Sequence, residues 1–152
     1  MKDKNNRDKN LFKYTEKCLY EYKQNIVKLD RLMADLSLLR LQGDVKAQSY
    51  DFTPSSPGSH SEPVFAFLVS VENLERKIKT LERITEPVKM LMAELDQNGH
   101  GRRSSMWLTL LELYYFDNYS VQAVTRELHV SRSMFFELKN SLVKKAMSYF
   151  GF

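Results

Sequence analysis

The feature that most constrains this sequence is a long heptad-like pattern near its N-terminus. From Phe12 to Leu41 the chain contains no Gly or Pro. Within that stretch one stripe of residues, all but one apolar, recurs at alternating steps of three and four: Phe12, Thr15, Leu19, Tyr22, Ile26, Leu29, Met33 and Leu36. A 3.5-residue repeat predicts an amphipathic helix with a coiled-coil-like seam. We expect this helix to occupy residues 1–42 and to end at Gly43-Asp44.

The same repeat returns in residues 64–98. Its seam is formed by Phe67, Val71, Leu74, Ile78, Leu81, Thr85, Val88, Met92 and Leu95. Pro63 suits the first turn of this second helix. Pro87 predicts either a kink or a restart, and the unbroken phase of the seam favours a kink. The run Asn98-Gly99-His100-Gly101 is expected to stop the helix and act as a hinge.

Residues 43–63, between the two seams, contain three prolines and five serines, which predicts a loop. About 20 residues is long for a loop within a compact domain, so we expect it to be mobile or to contact a partner. Two seams of similar length predict an antiparallel helical hairpin, and the same seams could instead pair between subunits. We expect a homo-oligomer, most simply a dimer, because a two-helix hairpin alone buries little surface.

The C-terminal segment, residues 102–152, carries the most specific pattern. Ser104 or Ser105 can cap a first helix that ends at Asp117-Asn118, and Ser120 can cap a short helix with Val121, Val124 and Leu128 facing inward. His129-Val130-Ser131 then forms a tight turn plugged by Val130. Ser131 caps a helix from about Arg132 to Tyr149, with Phe135, Leu138 and Leu142 inward. A small residue, Thr125 or Ala123, is expected where the two helices cross.

Part of this C-terminal pattern resembles a known helix-turn-helix motif. The segment SVQAVTRELHVSRSMFFELKNSLVKKA resembles the helix-turn-helix of region four of bacterial sigma factors, through Ser120, Val124, Leu128, the Val130-Ser131-Arg132 turn, Phe135 and Leu138. The layout of the whole chain resembles the RinA/ArpU group of small phage-encoded activators of late transcription. One departure is His129, which stands where such turns usually hold a left-handed Gly, at a cost of roughly 1 kcal/mol.

The resemblance implies an all-α protein whose C-terminal module binds double-stranded DNA. Seven Lys and Arg against four Asp and Glu in residues 102–152 suit a polyanion, although a solvated surface would look similar. Major-groove readers combine Arg for guanine, Asn for adenine and an apolar contact for thymine. The expected base-reading residues are Arg132, Ser133, Phe136 and Asn140, and the expected phosphate contacts are Arg102, Arg103, Lys139, Lys144 and Lys145. Alternatively, the module is a plain structural bundle and these residues form a solvated face.

The function expected from this reading is sequence-specific transcriptional regulation, as an activator of phage late genes that works with host RNA polymerase. A small terminase-like DNA-packaging subunit and a helical adaptor protein are the alternatives. No nucleophile elbow or Gly-rich phosphate loop occurs, and His60, His100 and His129 lack ligand-like spacing. We therefore expect no enzyme activity, no cofactor and no metal. The single cysteine, Cys18, and the absence of a long apolar run fit a cytoplasmic protein with no membrane partner, in the host cytoplasm if it is phage-encoded.

Overall fold

A computed structural model describes the backbone of residues 2–49, 61–98 and 101–152. Throughout these ranges the regular elements are helices and none is a strand, so the predicted all-α class is confirmed. The helices are α1 (Lys2–Ser49), α2 (Ser61–Gln97), α3 (Arg102–Leu110), α4 (Val121–Leu128) and α5 (Arg132–Tyr149). Helix α3 passes directly into a π-helical turn, Leu111–Phe116. No helix in the described ranges is long and apolar enough to cross a membrane.

Helix α1 is longer than predicted at its C-terminal end. Gly43, expected to end it, lies inside the helix, which continues to Ser49. Packing rather than helix termination explains the glycine: a Cβ at position 43 would collide with the ring of Phe67 in α2. The glycine therefore allows a side chain of the second helix to approach closely, at the modest cost that Gly brings to a helix interior.

Helix α2 begins close to the predicted position and is continuous through Pro87. The alternative of a restart at Pro87 is therefore wrong, and the helix tolerates the missing backbone donor at that residue. It ends at Gln97, where Asn98 N still donates to Glu94 O at 3.0 Å. The centre of the predicted loop, residues 50–60, and Gly99-His100 lie outside the described residues.

The first of two compact units comprises Met1–Asn25 and Arg83–Phe152. Its core is formed by buried residues from both long helices and from the C-terminal helices: Leu19, Val88, Leu91, Leu95, Leu110, Leu111, Tyr115, Phe116, Val124, Phe135, Leu138, Leu142, Val143 and Ala146. The segment predicted as a separate module, residues 102–152, thus shares its core with parts of α1 and α2.

The second unit, Ile26–Glu82, contains the remaining parts of the two long helices. Leu29, Leu36 and Ile78 are buried together, and the half-buried residues Leu32, Val71, Leu74 and Leu81 pack against them. The two predicted seams therefore contact each other within one chain. Arg40 of α1 also forms a 2.6 Å ion pair with Glu75 of α2.

The prediction is wrong for one residue of the first seam, which is exposed and not buried. Met33 was expected on the buried face, but 48% of it is exposed, whereas Leu32 packs into the cluster. Strict alternation of steps of three and four selects Met33 after Leu29, whereas the structure takes two steps of three in succession, from Ile26 to Leu29 and from Leu29 to Leu32.

The start of α3 also corrects a prediction. Neither Ser104 nor Ser105 caps this helix, which begins at Arg102 after Gly101 in an extended conformation. The N–H of Ser105 donates to the carbonyl of Gly101 at 3.1 Å, so this serine belongs to the first turn. The predicted end at Asp117-Asn118 is confirmed, although the π-helical turn before it was not foreseen.

Candidate nucleic-acid interface

Two serine hydroxyls begin the two helices of the candidate site, as predicted. The N–H of Ala123 donates to Ser120 Oγ at 3.2 Å at the start of α4, and the N–H of Met134 donates to Ser131 Oγ at 3.1 Å at the start of α5. Each bond satisfies a backbone donor that has no partner within its own helix. The caps define an eight-residue helix followed, after a short turn, by one of 18 residues.

The turn between α4 and α5 depends on His129. Its φ of 53° and ψ of 44° are left-handed, as expected for a residue in the place of a glycine. The His129 N–H donates to Arg126 O at 3.3 Å, and the Val130 N–H donates to Thr125 O at 3.1 Å, which closes the end of α4. Val130 is half-buried against the core of the first unit.

The inward residues of α4 and α5 are those predicted. Val124, Phe135 and Leu142 are fully buried, and Leu138 is 2% exposed. Val121 and Leu128 are half-buried and pack against the same core. Thr125 and Ala123 are both half-buried, so burial does not separate the two candidates for the helix crossing.

The opposite side of α5 presents a ridge of exposed residues at steps of four. These are Arg132, Phe136, Asn140 and Lys144, with Ser133 and Glu137 beside them. We call the first four the α5 ridge. The Arg132 guanidinium lies 5.9 Å from the centroid of the Phe136 ring, a cation–π distance. Within the described chain, neither Arg132 nor Lys144 forms an ion pair with a carboxylate.

Two further predicted cations lie near the turn. Arg102 and Arg103 line an open hollow of about 650 Å³ together with His129, Val130 and Met134, over a floor of Met106 and Leu138. Arg103 also lies 5.6 Å from the centroid of Trp107. The structure therefore brings the start of α3, the turn and the first turn of α5 to one place.

The other two predicted cations are engaged elsewhere. Lys139 Nζ donates to Glu16 Oε1 at 2.6 Å, and its side chain is only 16% exposed. Lys145 Nζ donates to Glu94 Oε1 at 2.6 Å. These ion pairs join α5 to the two long helices. Lys139 and Lys145 as phosphate contacts stay a prediction, and each would have to give up its carboxylate.

Glu16 also accepts a hydrogen bond from the hydroxyl of buried Tyr115, at 3.0 Å. Burial, followed by the charge of Glu16 and this hydrogen bond, raises the pKa of the Tyr115 phenol well above its usual range. The Glu16 carboxylate thus connects α1, the π-helical turn and α5. These contacts indicate a structural role for Glu16.

Sequence reasoning missed two exposed residues of this surface. Glu137 lies one turn after Ser133, and Met134 borders the hollow near Arg102. The same four-residue spacing that selected the α5 ridge would have found Glu137. A carboxylate there can accept a hydrogen bond from the cytosine amino group, although it would repel phosphate.

Among the described residues, no group of three or more His, Cys, Asp or Glu side chains is placed to hold a metal ion.

Comparisons of the chain with protein-family models, characterised proteins and solved structures found no match.

Proposed function

We propose that this protein is a sequence-specific DNA-binding regulator of transcription. In this proposal α4, the turn at His129-Val130-Ser131 and α5 act as a helix-turn-helix, and α5 is the recognition helix. The observation that supports it best is the α5 ridge: guanidinium, aromatic, amide and ammonium groups follow one another on the solvent side of a capped helix. Exposing Phe136 to water has a cost that contact with a thymine methyl group would offset.

Each group on the ridge suits a different part of a DNA duplex. Arg132 can donate two hydrogen bonds to guanine, and Asn140 can form a paired contact with adenine. Lys144, at the far end of the ridge, is suited to a phosphate. Arg102 and Arg103 would contact phosphates from the start of α3, beside the turn.

The biological role within this proposal derives from resemblance. The similarity of residues 120–146 to region four of bacterial sigma factors, and of the whole layout to the RinA/ArpU group, favours activation of phage late genes with host RNA polymerase as a partner. We propose that the paired parts of α1 and α2 in Ile26–Glu82 form a helical hairpin used for assembly or partner binding. A reporter gene driven by a phage late promoter tests activation directly.

DNA binding itself is tested by selection. Purified protein is mixed with a random-sequence duplex library, bound fragments are recovered through several rounds, and the products are sequenced. The proposal predicts an enriched motif that competes far better than a scrambled duplex. The variant Arg132→Ala/Asn140→Ala should enrich no motif or a relaxed one.

The matched control is Arg76→Ala, which removes one exposed charge from the second unit and should leave the motif unchanged. Absence of any enriched motif with the folded wild-type protein would contradict the proposal. An unchanged motif with the Arg132→Ala/Asn140→Ala variant would contradict the assignment of α5 as the recognition helix.

A further inference from the structure

A second apolar stripe runs along α1 within the unit Ile26–Glu82. Ala34, Leu38, Leu41 and Val45 follow one another at steps of four, three and four, and all four are exposed. The exposed fractions are 58% for Leu38, 61% for Leu41 and 67% for Val45. At 100° per residue these positions lie on the side of α1 opposite to Leu29 and Leu36, the buried seam. We call these four residues the outer stripe.

The outer stripe has the shape of a helix-packing surface. Leu38, Leu41, Gln42 and Val45 line an open hollow of about 310 Å³. Their spacing of i, i+3, i+4 and i+7 is that of the four residues that form a hole in knobs-into-holes packing. The side chain that fits such a hole is an apolar knob from a facing helix.

We propose that the occupant is the outer stripe of a second copy of this chain, packed antiparallel in a two-fold symmetric dimer. The stripe supplies both the hole and the knobs, as a self-complementary interface requires. With the two-fold axis near residues 39 and 40, Leu38 lies opposite Leu41 of the second copy. Ala34 then lies opposite Val45, so a small side chain meets a larger one.

The charges beside the stripe favour this direction. In the antiparallel arrangement Asp35 lies near Gln42 of the second copy and Asp44 lies near Ser37, so no like charges meet. A parallel pairing of the same stripe would place Asp30 of one helix beside Asp35 of the other, and two nearby carboxylates repel.

This interface differs from the one expected from the sequence. The predicted seams, which include Leu29 and Leu74, pack against each other within one chain. The inference does not depend on DNA binding by α5, and mass measurements without DNA test it separately. The stripe has few large side chains, so we expect a dissociation constant on the order of micromolar.

Sedimentation velocity of the full chain from about 1 to 200 μM provides the test. The wild-type mass should rise with concentration from 17.9 kDa towards twice that value. Leu41→Glu should raise the dissociation constant at least about tenfold, because it places a charge where a leucine is buried on pairing. Circular dichroism should remain that of wild type, since Leu41 is exposed in the monomer.

Met33→Glu is the matched control, because Met33 is an exposed apolar residue of the same helix outside the outer stripe. It should leave the dissociation constant unchanged. A wild-type chain that stays monomeric throughout, or equal effects of Leu41→Glu and Met33→Glu, would overturn the proposal. A larger assembly than a dimer would also overturn it.

Cross-linking tests the direction. Oxidation of the double variant Ala34→Cys/Val45→Cys should give a covalent dimer, whereas Ala34→Cys alone should not, because the two copies of residue 34 would lie roughly 16 Å apart. Buried Cys18 is kept in both variants. The wild-type chain, whose one cysteine is Cys18, measures the cross-linking that Cys18 itself causes. A covalent dimer from Ala34→Cys alone would exclude the antiparallel arrangement.

Discussion

Two left-handed residues border the short helix α4, and they differ in how well they suit that conformation. Asn118, with φ of 55°, precedes the helix, and His129, with φ of 53°, follows it. Asparagine and histidine both adopt left-handed backbone angles more often than most other non-glycine residues, and the short asparagine side chain can also form a local hydrogen bond that favours them. His129 is exposed, and its backbone rather than its side chain closes the end of α4.

The first prediction follows from this strain. His129→Gly should be neutral or slightly stabilising, because relief of about 1 kcal/mol of left-handed strain offsets the extra freedom of glycine in the unfolded chain. Asn118→Gly, the matched control, should be slightly destabilising. Urea unfolding measures both. A loss above about 1 kcal/mol for His129→Gly would mean that the imidazole makes a stabilising contact.

A second prediction concerns Tyr115. Its phenol has a raised pKa in the folded protein, so the folded state keeps a proton that the unfolded chain releases from about pH 10 upward. The free energy of unfolding should therefore not depend on this group below that pH and should fall above it, by up to about 1.4 kcal/mol per pH unit.

Tyr115→Phe removes this titration, so its stability should fall less steeply between pH 10 and pH 11 than that of wild type. Tyr119→Phe removes the hydroxyl group of an exposed tyrosine and is the control for the substitution itself. Urea unfolding at a series of pH values compares the three proteins. Identical slopes for wild type and Tyr115→Phe would show that Tyr115 does not contribute to the pH dependence.

At the scale of elements, the sequence predicted α4 and α5 almost completely and predicted α1 less well. Serine caps and a heptad-like apolar face are local signals, so Ser120, Ser131, Phe135 and Leu142 were placed correctly. The prediction that α1 ends at Gly43 was wrong because the role of this glycine depends on its contact with Phe67 in another helix. No local sequence pattern reveals such a contact. The same limit applies to Lys139, whose partner Glu16 is 123 residues away in the chain.

The third prediction tests which residues of α1 face the buried cluster of the second unit. Leu29→Glu places a charge in the buried cluster with Ile78 and should cost about 3 kcal/mol or more. Met33→Glu should change the free energy of unfolding by less than about 0.5 kcal/mol, because its side chain is in solvent. Similar losses for both variants, in urea unfolding followed by circular dichroism, would favour the predicted seam over the observed one.

At the scale of the whole molecule, the core that supports α4 and α5 extends beyond the C-terminal segment. Leu19 of α1 and Val88, Leu91 and Leu95 of α2 are buried in it. The fourth prediction is therefore that residues 102–152 alone do not unfold cooperatively in a thermal melt. A shortened chain in which a Gly/Ser linker joins Asn25 to Arg83 keeps this core and should melt cooperatively. A cooperative melt of the isolated segment would show that the long helices are dispensable.

The central claim, that the α5 ridge reads DNA, is tested most directly by one titration. The affinities of wild type, Arg132→Ala and Lys144→Ala for a selected duplex and a scrambled duplex are measured by fluorescence anisotropy at several salt concentrations. Arg132→Ala should cost about 1–3 kcal/mol on the selected duplex and little on the scrambled one. Lys144→Ala should weaken both equally and reduce the salt slope by about one. Unchanged affinity of Arg132→Ala for the selected duplex would contradict the claim, and equal losses on both duplexes would make Arg132 a phosphate contact.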